Sequence, residues 1–144
     1  MSTQIAANSP DYFSVLHGHQ YMNLVTFRKT GVGVKTPVWF ALNGNRLVMY
    51  TLGTSGKVKR IRNNPRVQVE PSDARGEPLG TAVEARARFL QGDEVTRAEK
   101  LLGKKYGLLY TLLNLQRKLS GAQIARVFIE ITPGDQAIGN RLTD

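Results

Sequence analysis

The sequence predicts a mainly β domain: a small antiparallel barrel of about six strands, with a short N-terminal helix and a helical segment late in the chain. Three observations carry this expectation. Short runs rich in β-branched and aromatic residues are separated by turn residues, most clearly at Asn43-Gly44-Asn45. No helix-length stretch lies between the first three runs, so the crossovers of a parallel sheet are missing. Two later runs alternate apolar and polar residues with the period of a strand.

Each element has a local reason. Ser9 is a capping residue and Pro10 suits a first helical position, so a helix is expected from there to about His17-Gly18. Residues 22–28 read as the first strand and 29–31 as a turn. Residues 34–42 read as the second strand; Pro37 within it confines it to a sheet edge or a bulge. After the Asn43-Gly44-Asn45 turn, 46–51 form the third strand and 52–55 a loop. Residues 56–63 read as a short helix with Val58 and Ile61 on one face, stopped by Pro65. A fourth strand (66–70) and an exposed loop (71–78) follow. In 81–90, Ala85, Ala87 and Phe89 share one strand face and Glu84, Arg86 and Arg88 the other. Asp93 is placed to cap a helix through 105. Gly107 interrupts it before 108–119, and Gly121 ends the helical part. The last strand is 124–132, with Val127, Ile129 and Ile131 alternating.

The 144 residues suit one domain, 1–144, and 41% hydrophobic residues suffice for a packed core. With no cysteine, disulfides and thiolate metal sites are excluded, and redox chemistry requires a bound cofactor. His17 and His19, two apart, do not share a helix face and form no metal centre. Residues 1–11 lack the basic and apolar regions of a secretory signal, and the longest mostly apolar stretch, 106–115, is half of the ~20 residues a spanning helix needs. A cytoplasmic location is therefore expected. Twenty Lys and Arg against 11 Asp and Glu leave +9, which points to an anionic partner: nucleic acid, an anionic membrane, or a small polyanion.

The charge is concentrated. Lys57, Lys59, Arg60, Arg62 and Arg66 fall within 57–66 without an acid. On a helix, Lys57 neighbours Arg60 and Lys59 neighbours Arg62. Basic residues in a first turn oppose the helix dipole unless an anion sits at the amides of Ser55, Gly56 and Lys57, where dipole and side chains then act together. The competing reading is a solvated basic face. No aromatic residues interleave with these bases, which argues against nucleic acid. In Thr36-Pro37-Val38-Trp39-Phe40, the backbone of Thr36 to Val38 is free for a ligand if the strand is an edge, while Val38, Trp39 and Phe40 pack inward. Gly31-Val32-Gly33 lacks the third glycine of a dinucleotide fingerprint and reads as a turn. Glu70, Asp73, Glu77 and Glu84 show no spacing that nominates an acid–base pair, and no histidine is placed to activate a serine or threonine, so no catalytic residue is assigned. In the late helix, Leu101, Leu108 and Leu115 recur every seven residues, as do Leu112 and Leu119, between Lys104-Lys105 and Arg117-Lys118. Burial on the barrel or in a subunit interface is the first reading; contact with an anionic membrane surface is the second.

Three of these motifs, in this order and spacing, carry a resemblance: Leu24-Val25-Thr26-Phe27-Arg28-Lys29-x-Gly31, Thr36-Pro37-Val38-Trp39-Phe40, and Gly56-Lys57-x-x-Arg60-x-Arg62-Asn63-Asn64-Pro65-Arg66-Val67. The sequence resembles the pyridoxamine 5′-phosphate oxidase-like split β-barrel superfamily over residues 21–133. More narrowly it resembles the B group of flavin/deazaflavin oxidoreductases, as do the tail segments Lys104-Lys105-Tyr106-Gly107 and 126–133. One departure is Glu84-Ala85-Arg86-Ala87, where many relatives carry a glycine. The resemblance implies an FMN-binding-split-barrel-like fold and a homodimer with the cofactor in an interfacial groove. The ring system would lie near Thr36, Pro37, Val38 and Thr51, and the phosphate at Ser55, Gly56, Lys57 and Arg60. The implied cofactor is the deazaflavin coenzyme F420, with FMN as the alternative, and the implied partner is a small conjugated substrate reduced by hydride; a non-catalytic flavin- or deazaflavin-binding protein with the same groove is the other reading. Tyr106 or Tyr110 is a candidate proton donor.

Overall fold

The computed structural model describes residues 6, 8–119 and 125–134, with backbone alone at 117–119. Its strands are β1 (Tyr21–Phe27), β2 (Gly33–Val38), β3 (Ala41–Asn43), β4 (Arg46–Leu52), β5 (Arg66–Ser72), β6 (Val83–Phe89) and β7 (Arg126–Pro133). The helices are α1 (Gly56–Asn63), α2 (Asp93–Tyr106) and α3 (Leu108–Leu119). The strands form one seven-stranded sheet in the order β2-β1-β5-β6-β7-β4-β3, antiparallel at every pairing.

The expected second strand, 34–42, is two strands. β2 pairs with β1 and β3 with β4, so one run supplies both edges of the sheet. The break falls at Trp39-Phe40. There the Phe40 amide donates to the Tyr106 hydroxyl at 3.0 Å instead of to a strand, and the Phe40 ring is fully buried. Only two residues separate the edge strands, about 11 Å of chain. The edges therefore meet at this corner, and the sheet curls into a barrel that β2 and β3 do not close. That is a split barrel.

Inside the curl lie Met22, Leu24, Val38, Phe40, Leu47, Met49, Val67, Val69, Ile129 and Ile131, contributed by alternate residues of most of the strands. Val58 and Ile61 are both buried, and Ile61 joins this cluster, so α1 is held against the barrel. The outer face of β3, β4 and β7 carries a second cluster (Ala41, Val48, Phe128) that receives Ala98, Leu102 and Tyr106 of α2 and Tyr110 of α3.

Other elements differ from expectation for identifiable reasons. The N-terminal helix is reduced to turns and a 3-10 turn at Ser14–Leu16, although Ser9 Oγ does accept the Asp11 amide at 3.0 Å. Burial of Tyr12, Phe13 and Leu16 in the core determines this segment, and an extended His17 followed by Gly18 at φ +81° stops it. Asp93 is not the cap of α2. Gly92, at φ +58°, takes that position, and Asp93 and Glu94 lie in the first turn, where negative charge suits the dipole. Gly107 interrupts the helical segment as expected, with φ +57°. Gly121 and Ile124 lie outside the described residues.

Lys105 braces the barrel corner. Its Nζ donates to the Phe40 carbonyl at 2.8 Å and stands 3.5 Å from the Phe40 ring centre. Desolvation lowers its pKa to about 8, well below the usual lysine range. The unfolded chain keeps this proton to higher pH than the folded one, so stability rises as pH climbs from about 8 toward the ordinary lysine pKa. In thermal unfolding, the stability of the wild type relative to Lys105→Met should increase between about pH 7 and about pH 9. Equal pH slopes would remove Lys105 as the cause.

Candidate functional site

The start of α1 gathers positive charge. Ser55 is extended and its Oγ accepts the Lys57 amide at 3.1 Å, which caps the helix and leaves the hydroxyl proton free to donate. Because Val58 and Ile61 fix the buried face, Arg60 is directed toward β1, where its Nε donates to Thr26 Oγ1 at 2.7 Å. The guanidinium folds back over the helix start: a Cβ on Gly56 would lie 2.7 Å from Arg60 Nη1. Lys57 is half-buried beside it. Desolvation first, and then the Arg60 charge, pull the Lys57 pKa below its ordinary value. The first turn holds no acid, and among the described residues neither cation forms an ion pair with a carboxylate. Two like charges and the positive end of a helix are thus held together with nothing anionic between them, an arrangement that a phosphate would relieve.

The other expected residues flank this cradle. β2 is an edge strand, as Pro37 requires. The register sets Leu24 opposite Thr36 and Thr26 opposite Val34, so Thr36 shares the inner sheet face with Thr26. Thr36 Oγ1 is buried and has no hydrogen-bond partner among the described residues. Such an orphaned hydroxyl costs about 1–3 kcal/mol unless something pairs with it. Val38 is buried in the core and Pro37 is exposed at the rim. Thr51 pairs with Val127 near the end of β4, just ahead of the turn into α1, and its side chain is half-buried. Thr36, Thr51 and the Ser55–Arg60 segment therefore belong to the inner face and one rim of the barrel.

The basic run divides. Lys57 and Arg60 form the cradle, and Lys59 is solvent-exposed. Arg62 lies over the Phe89 ring at 5.3 Å. Arg66 chelates Glu84 at 2.9 and 3.0 Å and covers the Phe27 ring at 4.4 Å. The charges of Arg62 and Arg66 serve structure rather than the cradle. Tyr106 and Tyr110 are also committed. The Tyr106 hydroxyl lies 2.7 Å from the Gln20 carbonyl and 2.9 Å from that of Phe40, and burial raises its pKa. Tyr110 accepts from Arg126 Nη1 at 2.9 Å. Neither hydroxyl is a free proton donor.

Two polar residues near the site were not singled out from sequence. Thr26 holds Arg60. Asn23, fully buried, donates from Nδ2 to Glu70 Oε2 at 2.8 Å and to the Gly76 carbonyl at 2.7 Å, while its Oδ1 is unpartnered. Lys35 completes this cluster at 2.8 Å from Glu70. Burial alone would raise the Glu70 carboxyl, but the bonds from Lys35 and Asn23 keep its pKa below the ordinary value. The available signal was an isolated Asn and Thr in the otherwise apolar strand Met22-Asn23-Leu24-Val25-Thr26-Phe27.

A curled antiparallel sheet with one open seam, and two cations gathered at the head of its short helix, defines a split-barrel architecture. The chain belongs to the pyridoxamine 5′-phosphate oxidase family, which it matches over residues 9–136. No curated protein matches it. Among solved structures it is similar to HutZ, the heme storage protein of Vibrio cholerae, at 14% identity and TM-score 0.62, over 90% of this chain and 91% of that one. It is similar to an FAD-binding protein of Mesorhizobium loti at 17% identity and TM-score 0.56, over 84% and 86%. A third similar structure, at 16% identity and TM-score 0.54 over 78% and 79%, is a domain-swapped dimer. At these identities the likeness is one of fold.

Proposed function

We propose that this chain is an oxidoreductase that binds the deazaflavin coenzyme F420 in a groove completed by a second copy of itself. The carrying observation is the crowded, partly desolvated pair Lys57 and Arg60 at the capped start of α1, with no carboxylate of the described residues paired to either. The residues fit a phosphorylated cofactor: two cations and the Ser55 hydroxyl for a phosphate, although the amides of Ser55, Lys57 and Val58 are already bonded within the chain, and the orphaned Thr36 hydroxyl for a polar edge of a ring system. The deazaflavin is favoured over FMN because its tail adds carboxylates to a phosphodiester, and Lys59, exposed on the same helix, supplies a further positive charge. The FAD-binding neighbour of the same fold supports flavin-type binding, and FMN is the second reading.

When bound, such a cofactor supplies hydride transfer to an activated double bond of a conjugated acceptor. This chain's own residues bind and orient. Lys57 and Arg60 hold the phosphate, Thr26 fixes the Arg60 side chain, and the open edge of β2 offers backbone groups at Thr36 to Val38. With Tyr106 and Tyr110 engaged internally, the proton that accompanies the hydride comes from solvent.

The deciding experiment is fluorescence titration of purified protein with coenzyme F420 and with FMN. Tighter binding of F420 supports the proposal. Tighter binding of FMN moves it to the second reading, and binding of neither overturns it. A sharper check uses the cradle geometry. Gly56→Ala places a methyl group against Arg60 Nη1 and displaces the guanidinium. Cofactor affinity should fall about tenfold, while thermal stability holds or rises, because alanine favours helix over glycine by up to ~1 kcal/mol. Unchanged affinity in that variant would remove Arg60 from the binding site.

A further inference from the structure

Helix α3 carries its apolar face on the outside. Leu108, Leu109, Leu112, Leu113 and Leu115 are 73%, 52%, 52%, 36% and 50% exposed. At ~100° per residue they occupy one continuous arc. Tyr110, the buried residue among the described side chains of this helix, points the opposite way, with its ring against Tyr50 and its hydroxyl bonded to Arg126. Of the two burials expected for this stripe, on the barrel or in a subunit interface, Leu108, Leu112 and Leu115 do not make the first. A contiguous apolar surface of this kind, on the order of a few hundred Å², marks an interaction site rather than ordinary scatter.

Charge identifies the occupant. From Lys100 to Lys118 the chain carries five basic residues (Lys100, Lys104, Lys105, Arg117, Lys118) and no acid. Lys100 and Lys104 are exposed beside the start of α3. In a two-fold contact through this patch the same bases, Lys100 and Lys104 among them, would meet each other. An anionic lipid surface has the opposite sign and an apolar layer beneath it. None of the described helices is long and apolar enough to cross a membrane. A helix about 18 Å long with a leucine arc and basic flanks suits the plane of the interface instead.

We propose that α3 docks this protein onto anionic lipid bilayers, with the leucines entering the acyl boundary and Lys100 and Lys104 meeting the headgroups. The inference does not depend on which cofactor is bound.

The test is co-sedimentation of the full chain with vesicles of phosphatidylglycerol and phosphatidylcholine in equal parts, and with phosphatidylcholine alone. The wild type should bind the anionic vesicles, at least about tenfold more weakly to the neutral ones, and less as salt is added. The double variant Leu112→Gln, Leu115→Gln should lose at least about tenfold in partitioning while unfolding at the wild-type temperature. Failure of the wild type to sediment overturns the proposal. So does a variant that sediments as well as wild type, which would reduce the effect to bulk charge. Sedimentation velocity covers the other occupant: α3-dependent self-association without lipid binding assigns the face to a second copy and also overturns it.

Discussion

Lys57→Ala should weaken cofactor binding by about 100-fold and leave the fold intact. A charge-assisted hydrogen bond from an ammonium to a phosphate contributes about 1.5–3 kcal/mol, or ~10- to 150-fold in affinity. The upper part of that range applies because Lys57 is half-buried and the bond is less screened than at an open surface. The variant should unfold at or slightly above the wild-type temperature. In the free protein Lys57 is desolvated and repelled by Arg60, and its lowered pKa means that the charged form gains nothing from folding. A lower affinity with unchanged or higher stability marks a residue kept for its ligand. Isothermal titration with the preferred cofactor, together with a thermal melt, reads both. An unchanged dissociation constant would overturn the assignment of the cradle.

Tyr106→Phe should destabilise the protein by about 2 kcal/mol with its aromatic packing preserved. The ring stacks on Trp39 with centroids 4.2 Å apart and planes within 7°, and phenylalanine retains that contact. The hydroxyl is lost. The buried Phe40 amide, which donates to it at 3.0 Å, would then have no acceptor, and the Gln20 and Phe40 carbonyls would lose a donor. Denaturant unfolding measures the cost. A change below about 0.5 kcal/mol would mean that the corner is held by Lys105 and the aromatic stack alone. Because Phe40 directly follows β2 and Trp39, a loosened corner should also lower cofactor affinity by a smaller factor than Lys57→Ala does.

The sequence and the structure agree where a local rule is decisive. Alternation at Ala85, Ala87, Ile129 and Ile131 placed β6 and β7, Asn43-Gly44-Asn45 placed the β3–β4 turn, and Pro37 required an edge that β2 provides. Ser55, Gly56, Lys57 and Arg60 were legible because a capping residue, a glycine and two bases three apart are all features of one helix start. What escaped depended on distant partners. The break at Trp39-Phe40 is imposed by Tyr106, 66 residues away, which no local propensity encodes. Arg62 and Arg66 looked equivalent to Lys57 and Arg60, but Phe89, Phe27 and Glu84 claim them. Thr26 was invisible because its value comes from Arg60, 34 residues on. The outward leucines of α3 follow the spacing of a buried stripe, and spacing alone does not say which side of a helix meets the core.

The two outermost strands of the sheet also govern how copies of this chain can associate. A bare strand rim invites another chain to extend the sheet by hydrogen bonding, the route to runaway stacking. Here β2 breaks that rim with Pro37, which has no amide to offer, and with exposed Lys35. β3 is only three residues long. Strand-by-strand growth is thereby discouraged at both margins. A pair formed face to face would leave the open seam between β2 and β3 as a slot between two bodies rather than a seam to be sewn shut.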